Sequence, residues 1–410
     1  MTASSSSTQG LVLSSGGALG AYEVGVMKAL FSGKSPATDY QPLEPEVFKG
    51  SSIGAFNAAF LVGQLAETDC VSAVERLEQV WLEDMAAHPP GAHNGALRIR
   101  GNPSEFLDPR SYISNPLQSF VQLAEDSAFF AREGFKSLMQ FATSHSRKPL
   151  GHRFLDLLDF SIFFSSEPYL RVIKKTIRFE NVRRSQKALR IDITNWDAGK
   201  VGIFSNQDMT DDFGPLYVQA SGALPGFFPQ VEIGTQRYAD AAVLGYAWPP
   251  PAIAAGADML HVIYVDPDIQ KLSEKESGSL DTLYRMFLII WASRLHDWTA
   301  DSKKMTLFSD YLSEFVRSRS LSRLEALKLD NIVLMFEEFA GKLFTSELQL
   351  GDNLDRRITF HIYHPLNAIS DFLGMLDFNQ DRIRKLIENG YNDAVEHDCA
   401  AMGCYTAHGA

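Results

Sequence analysis

The chain has few cysteines, no long apolar run and no excess of positive charge. It holds three cysteines in 410 residues, Cys70, Cys399 and Cys404. So odd and sparse a set excludes a disulfide framework and fits reduced thiols in a cytoplasmic protein, and the linear spacing matches no zinc motif. The most apolar stretch, MFLIIWASRL at 286–295, is too short to span a bilayer. The first residues, MTASSSSTQG, have neither a charged n-region nor an apolar h-region, so no signal peptide is expected. A net charge of −12 argues against nucleic acid as a partner and gives no general attraction to anionic membranes. No internal repeat is visible, and low complexity is confined to the Ser-rich start.

What remains is a globular composition, 45% apolar and 21% charged, in a chain long enough for a large core. The first 65 residues alternate. GLVLS (10–14) reads as a strand, SGGALG as a Gly-rich turn, and AYEVGVMKALF (21–31) as a helix with Tyr22, Val26, Ala29 and Leu30 on one side. EVFKGSS then reads as a second strand and IGAFNAAFLVGQLA as a second helix. This βαβα opening predicts a mostly parallel sheet covered by helices. Strand patterns recur at 188–197, 201–205, 259–267 and 356–365. Two helical stretches, about 84–185 and 270–350, interrupt the α/β pieces and read as insertions rather than independent domains.

The chemistry begins at Gly50-Ser51-Ser52-Ile53-Gly54, a Gly-x-Ser-x-Gly pentapeptide between a strand and a helix. That context suits a nucleophile elbow, in which a strained turn presents a serine beside a helix N-terminus. Only Ser52 has glycines two residues away on both sides, so Ser52 is the candidate and Ser51 reads as a turn residue beside it. The Gly-rich loop after the first strand has neither Gly-x-Gly-x-x-Gly nor a Gly-Lys-Ser/Thr ending, so it fits no nucleotide fingerprint. Such a loop can instead aim backbone N–H groups into a cleft. Parallel neighbouring strands would bring both loops to one sheet edge.

The residues leave the proton acceptor open. His361 and His364 lie at the end of a late strand. Asp240 lies in a small-residue turn, Ala239-Asp240-Ala241-Ala242, after a strand end. The elbow follows a single βα unit, whereas in α/β-hydrolases it follows several strands, which weighs against a histidine triad of that kind.

Taken together, these pieces resemble the patatin-like phospholipase family. SSGGALGAYEVG, GSSIG, VQASGALPGFFPQVEIGTQRYADAAV and GMLDFNQDRIRKLIENGYNDAVEHD match its oxyanion loop, elbow, Asp segment and closing helix in order. The resemblance spans about 10–65, 168–267 and 356–400. It implies a three-layer α/β/α fold with a mostly parallel central sheet. It further implies Ser52 as nucleophile, Asp240 as general base, and Gly16, Gly17 and Ala18 as oxyanion donors, with no metal or cofactor. The expected function is hydrolysis of lipid acyl esters. A thioesterase, a neutral-ester hydrolase and a weakly catalytic lipid- or partner-binding domain are the alternatives.

Three positions depart from the family pattern. Ser15 replaces the first loop glycine, Leu19 replaces a basic residue, and Ala241 replaces the glycine after the aspartate. Losing the cation either weakens preference for phospholipids in favour of neutral esters or thioesters, or is neutral where that residue serves packing or surface pairing. Ala241 bears on the aspartate turn because alanine does not share glycine's tolerance of positive φ.

The expected organisation is one domain over 10–402, with tails at 1–9 and 403–410 and the two helical insertions within it. From Phe129 to Arg190 thirteen Lys and Arg face five Asp and Glu. Aromatic residues interleave with these charges, which reads first as a helical cap with a solvated face and, as the sharper alternative, as a lid that covers an acyl pocket and meets a lipid surface or an anionic substrate.

Overall fold

The computed structural model describes residues 7–87, 164–225, 227–243, 249–265, 357–366 and 372–408, with a few isolated positions between them. The opening alternation folds as its pattern predicts. Strand β1 (Gln9–Leu13) leads through a Gly-rich turn into α1 (Gly20–Phe31), and β2 (Val47–Ser51) leads through one residue into α2 (Ile53–Gln64). Next come α3 (Cys70–Val80), which Asp69 caps by accepting from the Ser72 N–H, and a π-turn at Trp81–Met85. A two-residue ribbon, β3 (Arg98–Ile99) with β4 (Phe164–Ser165), precedes α4 (Glu167–Thr176) and α5 (Phe179–Arg184).

The later strands are β5 (Ala188–Asn195), β6 (Lys200–Ser205), β7 (Val231–Ile233), β8 (Gln236–Ala239), β9 (Met259–Ile263), β10 (Arg357–Tyr363) and β11 (Tyr405–His408). Among the described residues nine strands form one sheet, ordered β11-β10-β9-β1-β2-β5-β8-β7, with β6 also paired to β5. Its centre, β10-β9-β1-β2-β5, is parallel, and both flanks turn antiparallel. Two covered faces explain why Leu11, Val12 and Leu13 of β1, and Val262 and Ile263 of β9, are apolar at successive positions rather than alternating ones. One face packs Leu11, Leu13, Phe48 and Ile263 against α1, α2 and a long closing helix. The other packs Val12, Val47, Leu260 and Val262 against a short helix, α7 (Pro250–Ala254), which follows α6 (Gly214–Ser221) in the chain. This is the three-layer α/β/α arrangement.

Two boundaries differ from the sequence expectation. Residues 405–408, expected in a terminal tail, form β11 on the edge of the sheet, because β10 offers a free edge antiparallel to them. Helices α4 and α5, expected in an insertion, bury Ile173 and Val182 in the main core. Most of the 84–185 stretch and nearly all of 270–350 lie outside the described residues, as do Arg132, Lys136, Arg147, Lys148 and Arg153 of the basic stretch.

The chain ends with α8 (Phe372–Met375), α9 (Gln380–Val395) and α10 (Cys399–Met402). No helix among the described residues is long and apolar enough to cross a membrane.

Beneath the ends of β1 and β2 lie two buried polar groups. Glu23 accepts from the Ser14 N–H at 2.7 Å and from Asn57 Nδ2 at 2.8 Å, while the Trp81 indole N–H donates to Asn57 Oδ1 at 2.9 Å. These bonds tie together the β1 loop, both helices and the π-turn. Burial raises the Glu23 carboxyl to about 8, against the opposing pull of those bonds. Lys49 Nζ lies 2.7 Å from Asp192 Oδ2, both side chains being fully buried.

Candidate active site

Ser52 is the residue between β2 and α2. Its backbone sits at φ 54°, ψ −122°, a region that non-glycine residues avoid at a cost of about 1–3 kcal/mol. Neighbouring segments hold it there. The Ser52 N–H donates to Ser221 Oγ at 2.8 Å, whose hydroxyl donates to the Asp192 carbonyl at 2.8 Å. The Gly54 N–H donates to the Ser14 carbonyl at 3.2 Å. A Cβ on Gly50 would overlap the Gly54 carbonyl, and one on Gly54 would lie 2.5 Å from the Ser14 oxygen. The two glycines are therefore required by backbone approach on either side of the serine. Gly54→Ala is expected to displace the elbow and lower ester hydrolysis about 100-fold, as ångström-scale misplacement does; p-nitrophenyl ester kinetics on the folded variant measure it.

The structure brings Asp240 to Ser52 across 188 residues: the Ser52 hydroxyl donates to Asp240 Oδ2 at 2.7 Å. Asp240 follows β8, the second strand of the β7–β8 hairpin, and its surroundings fix every polar atom. Its N–H donates to the Ala223 carbonyl at 2.9 Å, and its own carbonyl accepts from Thr194 Oγ1 at 2.9 Å. Oδ1 accepts from the Ala242 N–H at 2.7 Å. The residue is only 3% exposed. Burial pushes its carboxyl up to about 7, although the Ala242 and Ser52 hydrogen bonds pull it down. Ala241 lies outside the positive-φ region, so the aspartate turn does not need a glycine there.

The Gly-rich loop forms the next wall. Gly17 has φ 57°, and a Cβ on it would overlap the Met375 carbonyl; one on Gly16 would overlap Val265, just past β9. The backbone N–H groups of Gly16, Gly17 and Ala18 meet no acceptor among the described residues. Ser15, in place of the family's glycine, adds a buried hydroxyl without a partner among the described residues, and so does Tyr169 of α4. Leu19 is 1% exposed and belongs to the hydrophobic core. It stands where the family pattern has a cation and leaves no charge in its place.

These residues enclose a cavity of ≈ 70 Å³. Ser15, Gly16, Gly17, Ser52 and Asp240 line one side, and Ile53, Leu224, Phe227, Phe228, Met375 and Phe378 make the remainder apolar. A Cβ on Gly222 would fall 3.4 Å from the Tyr169 ring and 3.9 Å from Ser52 Oγ, so this glycine keeps the space between them open. Asp240 is the one ionisable carboxyl or cation among the described lining residues.

A model of the patatin-like phospholipase family matches residues 11–247, more than half of the chain. The chain belongs to that family. Patatin-like phospholipases are hydrolases of ester bonds, and the mostly parallel sheet with helices on both faces is the patatin fold. Among solved structures, VipD from Legionella pneumophila aligns over 98% of this chain and 68% of its own, with 13% identity and a TM-score of 0.33. Comparison with curated proteins gives no match.

Within this patatin domain some candidates fall elsewhere. Ser51 is the last residue of β2 and fully buried; it accepts from Lys49 Nζ at 2.6 Å and donates to Asp192 Oδ2 at 3.3 Å, so it supports the elbow from below and is not a turn residue beside it. His364 Nδ1 sits 3.1 Å from the Pro365 carbonyl, and His361 lies beside Cys399. Neither lines the cavity. Ser221, Asp192, Thr194 and Tyr169 were missed as supports or lining. Of these only Ser221 carried a signal, inside the Ala-Ser-x-Ala-x-Pro segment. Cys399 and Cys404, whose linear spacing matches no zinc motif, gather in space with His361 and His397.

Proposed function

We propose that the chain hydrolyses fatty acyl esters of lipids through an acyl-Ser52 intermediate, with Asp240 as general base. The observation that carries this reading is the 2.7 Å Ser52–Asp240 hydrogen bond inside an apolar cavity. Ser52 Oγ attacks the ester carbonyl carbon as its proton passes to Asp240 Oδ2. The free N–H groups of Gly16, Gly17 and Ala18 are the donors for the oxyanion, and the α2 N-terminus adds positive potential. Collapse breaks the bond to the leaving alcohol, which takes the proton from Asp240. Water then gives a proton to Asp240 and attacks the acyl carbon, releasing the fatty acid and restoring Ser52.

A carboxylate is ordinarily too weak a base for a hydroxyl. A group raised to about 7 is far better matched to neutral pH. The kcat/KM profile is therefore expected to fall tenfold per unit below about pH 7. Stability is expected to run the other way. Glu23 and Asp240 have folded values of about 8 and 7, above their ordinary 4.5 and 3.8. The folded state therefore holds these protons more tightly, and the stability they contribute is lost as pH rises through 7 and 8. Melting temperature should thus decline from about pH 4 to about pH 8 and level off above, as activity rises to its plateau, and Asp240→Asn should flatten the part of that decline below about pH 7.

The described lining offers apolar side chains for an acyl chain and no cation for a phosphate, so the substrate is recognised through its acyl part. A panel of glycerophospholipids, acylglycerols and acyl-CoA esters, read by mass spectrometry, tests this. Free fatty acid is expected from neutral esters at least as readily as from phospholipids. Turnover restricted to anionic phospholipids would contradict the acyl-centred reading.

A further inference from the structure

We propose that His361, His397, Cys399 and Cys404 bind one zinc ion that ties the C-terminal segment to the edge of the sheet. The ligands lie apart in sequence: His361 is on β10, while His397, Cys399 and Cys404 follow α9. Local structure explains how they meet. The Asp398 carboxylate accepts from the N–H groups of Ala400 and Ala401 at 2.9 and 3.4 Å, which starts α10 at Cys399. Gly403, at φ 76°, ends it in the left-handed region. The chain thereby turns back, and the Cys404 N–H donates to the Cys399 carbonyl at 2.9 Å. Tyr405 then pairs with Phe360, next to His361, so strand pairing brings the last cysteine to the strand that carries the first histidine.

The donor atoms are already near tetrahedral spacing. Cys399 Sγ lies 3.6 Å from His361 Nδ1 and 3.4 Å from His397 Nε2, and Cys404 Sγ lies 3.4 Å from the same Nε2. All four ligand atoms fall within 4.8 Å of one another. Zinc bonds of about 2.3 Å to sulfur and about 2.05 Å to nitrogen give S···N edges of about 3.5 Å in a tetrahedron. Hydrogen bonds within a thiol–imidazole pair account for one such contact, but not for two thiols and two imidazoles converging on one point.

The surroundings orient the ligands. The His361 ring stacks on His261, centroids 5.0 Å apart, and the His397 ring leans on Tyr363 at 4.6 Å. The Ile362 N–H donates to Cys404 Sγ at 3.2 Å, a contact that favours thiolate over thiol. On binding, both thiols release their protons, and two thiolates with Zn²⁺ and two neutral imidazoles make a site of zero net charge. Such a site is tolerated beside the buried His397. Cys399 is exposed and gives the ion a path from solvent. None of the four residues lines the cavity at Ser52, so the role is structural, closing β10, β11 and α9 into one unit.

The test uses the full chain purified under reducing conditions without chelator. Elemental analysis is expected to give one zinc per chain, retained in Cys70→Ser and lost in Cys399→Ser and Cys404→Ser. Because those variants can fail to fold, the deciding measurement is on the unaltered chain: after removal of zinc, stoichiometric cobalt(II) is expected to produce the visible and thiolate charge-transfer bands of a tetrahedral sulfur–nitrogen site. Chelator is expected to lower the melting temperature and zinc to restore it. Substoichiometric zinc with no cobalt–thiolate bands would overturn the proposal. A metal-free chain two hydrogens lighter, with Cys399 joined to Cys404, would overturn it in favour of a disulfide.

Discussion

Asp240→Asn is expected to lower kcat/KM for an acyl ester by about 10²–10⁴, the range of a general base, without unfolding the chain. The amide keeps the volume and can still hydrogen-bond Ser52, but it cannot take up a proton in the attack. It also removes a carboxyl whose charged form is disfavoured by burial. The melting temperature above pH 7 should therefore equal or exceed that of the parent, which separates lost chemistry from lost structure. Ser52→Ala should fall at least as far, and the double variant no further than the worse single one, since the two act as a unit. His364→Ala should retain full turnover. If His364→Ala abolished turnover while Asp240→Asn kept it, the base would be a histidine.

Lys49→Met is expected to destabilise the fold by about 3–5 kcal/mol, the usual consequence of removing one partner of a buried ion pair. Lys49 and Asp192 are both 0% exposed and 2.7 Å apart. Burial lowers the lysine and raises the aspartate, and each opposes this in the other through its charge. Without the lysine, Asp192 is left buried, with Ser51 as its remaining side-chain donor. Replacing both partners by Met and Leu should recover much of the loss, because the uncompensated charge disappears with them. Urea unfolding of the two variants gives the comparison; equal stability of parent and Lys49→Met would show that the pair contributes nothing. The pair lies directly under the elbow, and the Asp192 carbonyl holds Ser221, which holds the Ser52 N–H. Weakening it should therefore also lower turnover in the surviving folded fraction.

The parts of this fold written in the sequence are those with local causes. The alternation through Gln64 predicted β1, α1, β2 and α2 because period and turn chemistry act over a few residues. The glycines around Ser52 were legible for the same reason, as each relieves a contact within or beside the turn. Asp240 was not identified by its own neighbourhood. An aspartate among alanines reads as an ordinary turn, and its place beside Ser52 emerges only when the β7–β8 hairpin, itself paired to β5, brings it to the end of β2. Periodicity also understated α1. It marked one apolar side, whereas nearly the whole helix is buried, Glu23 included, because the sheet, α3 and α9 surround it. Lys49 drew no comment in the sequence because its partner, Asp192, lies 143 positions later. The four zinc ligands escaped a spacing search because one of them arrives through a strand and the others through two caps.

The central claim is that Ser52, activated by Asp240, attacks the acyl carbon. The most direct measurement is labelling with a fluorophosphonate, followed by mass spectrometry of the peptide containing Gly50–Gly54. A single adduct on Ser52 is predicted, forming far more slowly in Asp240→Asn and absent in Ser52→Ala. An unlabelled Ser52 in a preparation that hydrolyses esters, with the same turnover in Ser52→Ala, would contradict it.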